Sequence, residues 1–159
     1  MLIFAMLGTI IFLSDILMEA LPNVHGVAMF IALFTLMYRS RALIPIYVYV
    51  FLNGLYAGFA LWWVPYLYIW TILWALVMLI PSNASNRTKF ILCTLFCSMH
   101  GILFGTLYAP MQALMYGLTY QGLITWIIVG LPFDFLHMIG NFAMSFLIIP
   151  LYKTLKKFV

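Results

Sequence analysis

Hydrophobic positions in this chain come in long unbroken runs. They lack both the alternation of strands and the one-sided stripes of soluble helices. Residues 2–20, 24–38, 43–61, 64–81, 90–108 and 131–152 are each apolar on all sides. A helix that is apolar all round belongs in a large core or in a membrane, and ~20 such residues cross the hydrocarbon. Barrel strands would alternate apolar and polar residues, so the pattern predicts helices. The breaks are chemical. "LPNVHG" carries the turn formers Pro22, Asn23 and Gly26, "YRSRA" and "PSNASNRTK" are polar and basic, and "WWVP" is an aromatic turn ending at Pro65. The expected fold is an all-α integral membrane protein, one domain over residues 1–159, folded as a six-transmembrane-helix bundle.

Composition makes the membrane reading firm. Of 159 residues, 67% are hydrophobic and 6% charged, where ordinary soluble domains carry about 25% charged residues. The first run lacks a basic stretch and a small-x-small cleavage site, so it is expected to be a permanent span and not a removable signal.

Charge then sets an orientation. The seven cations sit in three places: Arg39 and Arg41; Arg87 and Lys89; Lys153, Lys156 and Lys157. With six spans and both termini cytoplasmic, all three fall on the cytoplasmic side, as the positive-inside rule requires. The charge reads as an orientation device and a contact for the lipid bilayer, and no nucleic acid is expected as a partner. Residues 111–131 are apolar enough for a seventh span, but that crossing would put the terminal "KTLKKF" on the opposite side. Segment 109–130 is therefore expected at the outer face, as a short helix plus a dipping stretch covered by protein or lining a cavity. The "NAS" and "NRT" sequons fall in a cytoplasmic loop on this orientation and are not expected to be glycosylated.

Small residues at four-residue spacing mark close helix contacts: Gly54 and Gly58, Gly101 and Gly105, Ala28 and Ala32. Packing within the chain is the plain reading, and a partner-docking face is the other. Cys93 and Cys97 read as small buried residues.

The chemistry lies in the polar residues inside the grease. There are three acids, Asp15, Glu19 and Asp134, and three histidines, His25, His100 and His137. An ionisable group in a membrane is a functional-site hypothesis by default. Asp134, His137 and Asn141, at i+3 and i+4, share one helix face. Asp134 could also cap a helix starting after Pro132. Tyr66, Trp70 and Trp74 form a stripe; Trp62, Trp63, Tyr66 and Tyr68 cluster at the outer end of the third and fourth spans as an interfacial belt, while Trp70 and Trp74 are too deep for a belt and read as packing residues or a stacking wall. No Lys or Arg reaches the outer half, so a pocket there favours a neutral or cationic ligand. Walker A, HExxH, GxSxG and zinc-spaced Cys/His patterns are absent from the sequence. The chain is expected to be neither an enzyme nor the holder of a cofactor or metal.

"GLPFDFLHMIGNFAMSFLIIPLYKTLKK" resembles the last-helix pattern of the substrate-binding S components of energy-coupling factor vitamin transporters. There an Asp and an Asn near the outer end precede an apolar helix, a Pro and a basic tail. The resemblance implies a six-helix bundle in a bacterial plasma membrane that holds a vitamin or precursor in an outward pocket. It also implies docking on a membrane T component driven by two cytoplasmic ATPase subunits. Carried over residue by residue, it points to Asp134, His137 and Asn141 for substrate. His100, Trp70, Tyr66, Trp63 and Glu19 complete the expected pocket. The family's Ala-x-x-x-Ala docking surface has its nearest matches in Ala5 with Thr9, and in Ala28 with Ala32. Two alternatives remain: a metal-uptake component using His25, His100, His137 and the acids, or a membrane scaffold whose polar residues only pack.

Overall fold

The breaks in the hydrophobic pattern become helix ends. The computed structural model describes residues 2–21 and 23–158; Pro22, one of the expected turn formers, lies outside the described residues. The helices are α1 (Leu2–Leu17), α2 (Val27–Tyr38), α3 (Leu43–Ala57), α4 (Tyr66–Met78), α5 (Asn86–Ile102), α6 (Phe104–Tyr116), α7 (Tyr120–Ser145) and α8 (Ile148–Leu155). Short 3-10 turns occupy Arg39–Ala42 and Leu61–Trp63, and no strand occurs among the described residues. Four helical stretches are long and apolar enough to cross a membrane: Val27–Ala57, Leu61–Met78, Asn86–Tyr116 and Tyr120–Leu155. This is the make-up of a helical membrane protein.

The first of those stretches is not one rod. Arg39 breaks it with φ 53 and ψ −123, a backbone state that non-glycine residues rarely adopt. The guanidinium stabilises the break by donating to the carbonyls of Ile80 (2.9 Å) and Met78 (2.7 Å). These accept at the C-terminal end of α4, where helix carbonyls lack partners of their own. Beyond the break the chain changes neighbours: α2 packs on α4, and α3 packs on α1.

α2 is the central helix. Nine of its 12 residues are buried, and it touches α1, α4, α5, α7 and α8. Ala28 and Ala32 are fully enclosed, so this pair packs the chain against itself. Ala5 and Thr9 on α1 are exposed, and the Thr9 hydroxyl donates to the Ala5 carbonyl.

Two seams hold the rest. α1 and α3 run parallel, with Gly8 against Val48 at one level and Asp15 against Asn53 at another. α5 and α7 run antiparallel at a spacing set by Gly101, where a Cβ would lie 2.8 Å from the Met138 backbone. Gly101 and Gly105 thus both serve packing inside the chain. Gly54 makes room for the rings of Phe59 and Trp63, whereas Gly58 ends α3 at φ 88 and packs no helix.

The hairpin α6–α7 departs from the expected layout of 109–130. Both arms are helical, and only residues 117–119 turn. Gly117, left-handed at φ 62, ends α6, and the Thr119 hydroxyl caps α7 by accepting from Gly122 N–H at 3.2 Å. α7 continues through Pro132. In an apolar medium each backbone group needs an internal partner, so losing one bond at a proline costs less than ending the helix.

α7 also shows the molecule inside out. Its buried residues are Asp134, His137, Gly140, Asn141 and Ser145, a polar stripe facing the bundle. Val129, Phe133, Phe135 and Phe142 point outward. Water would reverse that arrangement, and lipid favours it.

Candidate functional site

Two adjoining features at one end of the bundle form the site: an open cleft and an aromatic cluster beneath it. The cleft has a volume of about 220 Å³ and is lined by the end of α1, the α1–α2 loop, the end of α3 and Tyr66. Its charged groups are Asp15 and Glu19, and no Lys or Arg lines it. Asp15 is held by two donors on α3: the Tyr49 hydroxyl at 2.9 Å and the Asn53 amide at 3.0 Å. Both bonds end on Oδ2, so the carboxylate is oriented while Oδ1 keeps acceptor capacity.

His25 and Tyr66 belong to both features. They line the cleft, and their rings pack on the cluster below. His25 lies 4.8 Å from His137 and 6.2 Å from Trp70, centroid to centroid, and Tyr66 lies 5.9 Å from Trp70. Trp70 then meets His100 at 5.2 Å, and His137 meets Phe104 at 4.9 Å. Burial pushes the His25 imidazole below its ordinary pKa, while the Asp15 charge pulls it back up.

Hydrogen-bonding capacity in the cluster exceeds what the chain supplies. Among the described residues, His25 Nδ1, Trp70 Nε1, His100 Nδ1 and His137 Nε2 in the cluster are buried without a partner, as are Asn141 Oδ1 below it and Ser98 Oγ outside it. Each such group costs about 1–3 kcal/mol, and native structures hold few of them. Their chemistry is mixed. His100 Nε2 donates to the Ile69 carbonyl at 3.1 Å, which leaves Nδ1 an acceptor in the neutral ring. Trp70 Nε1 is a donor, and Asn141 Oδ1 is an acceptor. Such a set is completed by a molecule that brings hydrogen-bonding groups of its own.

The expected site residues divide. His100, His137, Trp70 and Tyr66 come together in the cluster. Asn141 sits deeper and donates to the Cys97 carbonyl at 3.1 Å. Glu19 lies at the cleft. Trp63 is elsewhere, with its indole N–H donating to the Val50 carbonyl at 2.7 Å.

Asp134 has a partner inside the protein. Its two oxygens accept from Gly105 N–H at 2.9 and 3.1 Å. α5 breaks at Leu103, and Gly105 is the second residue of α6, so its N–H has no carbonyl a turn below. Asp134 does cap a helix, but it caps α6 from across the seam, because α7 passes straight through Asp134 instead of starting there. Tyr49 and Asn53 were missed as site members, and Asp15 and His25 were named only among the ionisable groups and in the metal alternative. Asp15 and Asn53 were visible as polar residues in apolar runs, yet nothing in sequence joins residues 38 positions apart.

Among the described residues, no three His, Cys, Asp or Glu side chains are placed to hold a metal ion. Cys93 and Cys97 are buried free thiols. Comparison of the chain with protein-family models, with curated proteins and with solved structures found no match.

Proposed function

We propose that this protein is a membrane-embedded binding subunit that takes up a small neutral or cationic ring compound from outside the cell. The carrying observation is a cleft whose only charges are carboxylates, set above a buried cluster of unpartnered imidazole, indole and amide atoms. A cation or N–H of the ligand would meet Asp15, and its ring would lie against Tyr66 and His25. A volume of about 220 Å³ falls below the ~300–1,000 Å³ of drug-sized sites, which suits a vitamin or precursor with a single ring.

Six crossings with both termini cytoplasmic are part of the reading. Supporting them is the alternation of direction through α1, α2, α3, α4, α5–α6 and α7–α8, which gathers all Lys and Arg at the end opposite the cleft. α2 is short for a span, but its neighbours shield it from lipid. The absence of an ATP-binding motif and the resemblance of the last helix to energy-coupling factor S components favour a non-enzymatic subunit. It would work with a T component and two ATPases in a bacterial plasma membrane, docking through the exposed face of α1 that carries Ala5 and Thr9.

Tryptophan fluorescence of the purified protein, titrated with a panel of vitamins and precursors, tests this reading. Trp70 lies beneath the cleft, so a thiamine-like, pyridoxine-like or pyrimidine ligand should quench at micromolar concentration. Quenching by no ligand below millimolar, or a preference for anionic vitamins, overturns it.

A further inference from the structure

The opposite end of the bundle carries a second, larger feature. A groove of about 810 Å³ opens between the α4–α5 loop and α8. Lys89, Lys153, Lys156 and Lys157 line it, together with Tyr152 and the hydroxyls of Ser82 and Ser85. No Asp or Glu lines it. The chain has only three acids: Asp15 and Glu19 are at the far cleft, and Asp134 is bonded to Gly105. Four ammonium groups therefore share one groove without a carboxylate side chain to balance them.

The groove is also built. Lys89 is only 5% exposed. Its Nζ donates to the Ser82 carbonyl at 2.9 Å and to the Tyr152 hydroxyl at 3.4 Å, and lies 5.0 Å above the Tyr152 ring. Lys156 covers the same ring at 5.6 Å. Tyr152 thus carries two ammonium groups within 5.6 Å of its ring centre, and both add positive potential to the groove. The first turn of α5 opens onto this groove, and its dipole adds positive potential.

We propose that this groove binds a phosphate-bearing anion, and that the headgroup of an anionic phospholipid supplies it. The ammonium groups and loop hydroxyls offer several donors to the oxygens of one phosphate, and the position at the basic end matches the leaflet in which anionic headgroups meet basic residues. This is independent of what the cleft binds.

The test uses protein purified in a neutral detergent and native mass spectrometry. Short-chain phosphatidic acid, short-chain phosphatidylcholine and inorganic phosphate are each titrated. Lys156→Gln/Lys157→Gln removes two exposed groove cations, and Arg41→Gln/Arg87→Gln removes two exposed cations outside it. Preferential retention of one phosphatidic acid is expected. The lysine pair should weaken it by on the order of a hundredfold, from two lost charge-assisted contacts, and the arginine pair by roughly tenfold or less, from diffuse attraction alone. Equal retention of the two lipids, or equal loss in the two variants, overturns the site. Displacement of the lipid by inorganic phosphate overturns the lipid assignment and makes the occupant a soluble anion.

Discussion

The two ends of this bundle manage buried polarity in opposite ways. At the basic end the half-buried Arg39 and the buried Lys89 find acceptors within the chain. Arg39 closes the carbonyls at the end of α4, and Lys89 closes Ser82 and Tyr152. Hydrogen bonding is satisfied there, while no carboxylate side chain lines the groove among the described residues. At the other end Asp15 is oriented by Tyr49 and Asn53, but the imidazole, indole and amide atoms beneath it stay open. The three acids divide along the same line. Asp134 is committed to a helix end, and Asp15 and Glu19 face the cleft.

The largest way to break this comparison is at the seam joining the two ends. Gly101→Leu would drive a side chain into the Met138 backbone. Overpacking costs typically ~1–3 kcal/mol, and backbone cannot yield as a side chain can. We expect loss of a monodisperse peak in size-exclusion chromatography, with both ends disrupted together. A well-folded Gly101→Leu protein would show that α5 and α7 do not meet this closely.

Next in size, the buried Asp134 and the half-buried Asp15 should separate. Asp134→Ala strands Gly105 N–H and should cost about 2–3 kcal/mol, read as a lower thermal midpoint in detergent. Asp15→Ala should cost less stability, because Asn53 lines the open cleft and the buried Tyr49 hydroxyl keeps its bond from the Asn53 amide, but should weaken the quenching ligand at least tenfold. If Asp134→Ala abolished ligand quenching at an unchanged midpoint, the division of labour between them would be reversed.

The smallest effect is expected at the rim. Glu19 is exposed, and solvent screens its charge. Glu19→Gln should weaken a cationic ligand by less than about fivefold, in keeping with the ~0–1 kcal/mol of exposed ion pairs, and should leave a neutral ligand unaffected. That contrast in titrations would also report the charge of the ligand.

Much of the fold was legible in order along the chain. The first four helices begin and end within four residues of the apolar runs, because an apolar segment in lipid must satisfy its own backbone. The α6–α7 turn was written as "YGLTYQG", a glycine that ends one helix and a threonine that caps the next. It was obscured by Pro132, which reads as a start and is passed through. The site was less legible. His100, His137 and Trp70 could be nominated because polar or flat residues at depth are costly. Asp15 could not be ranked above Asp134, since both are lone acids in apolar helices.

Read without its fold, the chain already names its medium. Long apolar runs call for lipid, and cations confined to three short segments are expected to share an end. Which acid is spent and which is open was decided only in three dimensions. The antiparallel register of α5–α6 against α7 brings the freed N–H of Gly105 to Asp134, and the parallel register of α1 and α3 brings Asp15 to Tyr49 and Asn53. A carboxylate accepts whichever donors packing places within about 3 Å, and no local pattern encodes a neighbour that arrives from a distant helix.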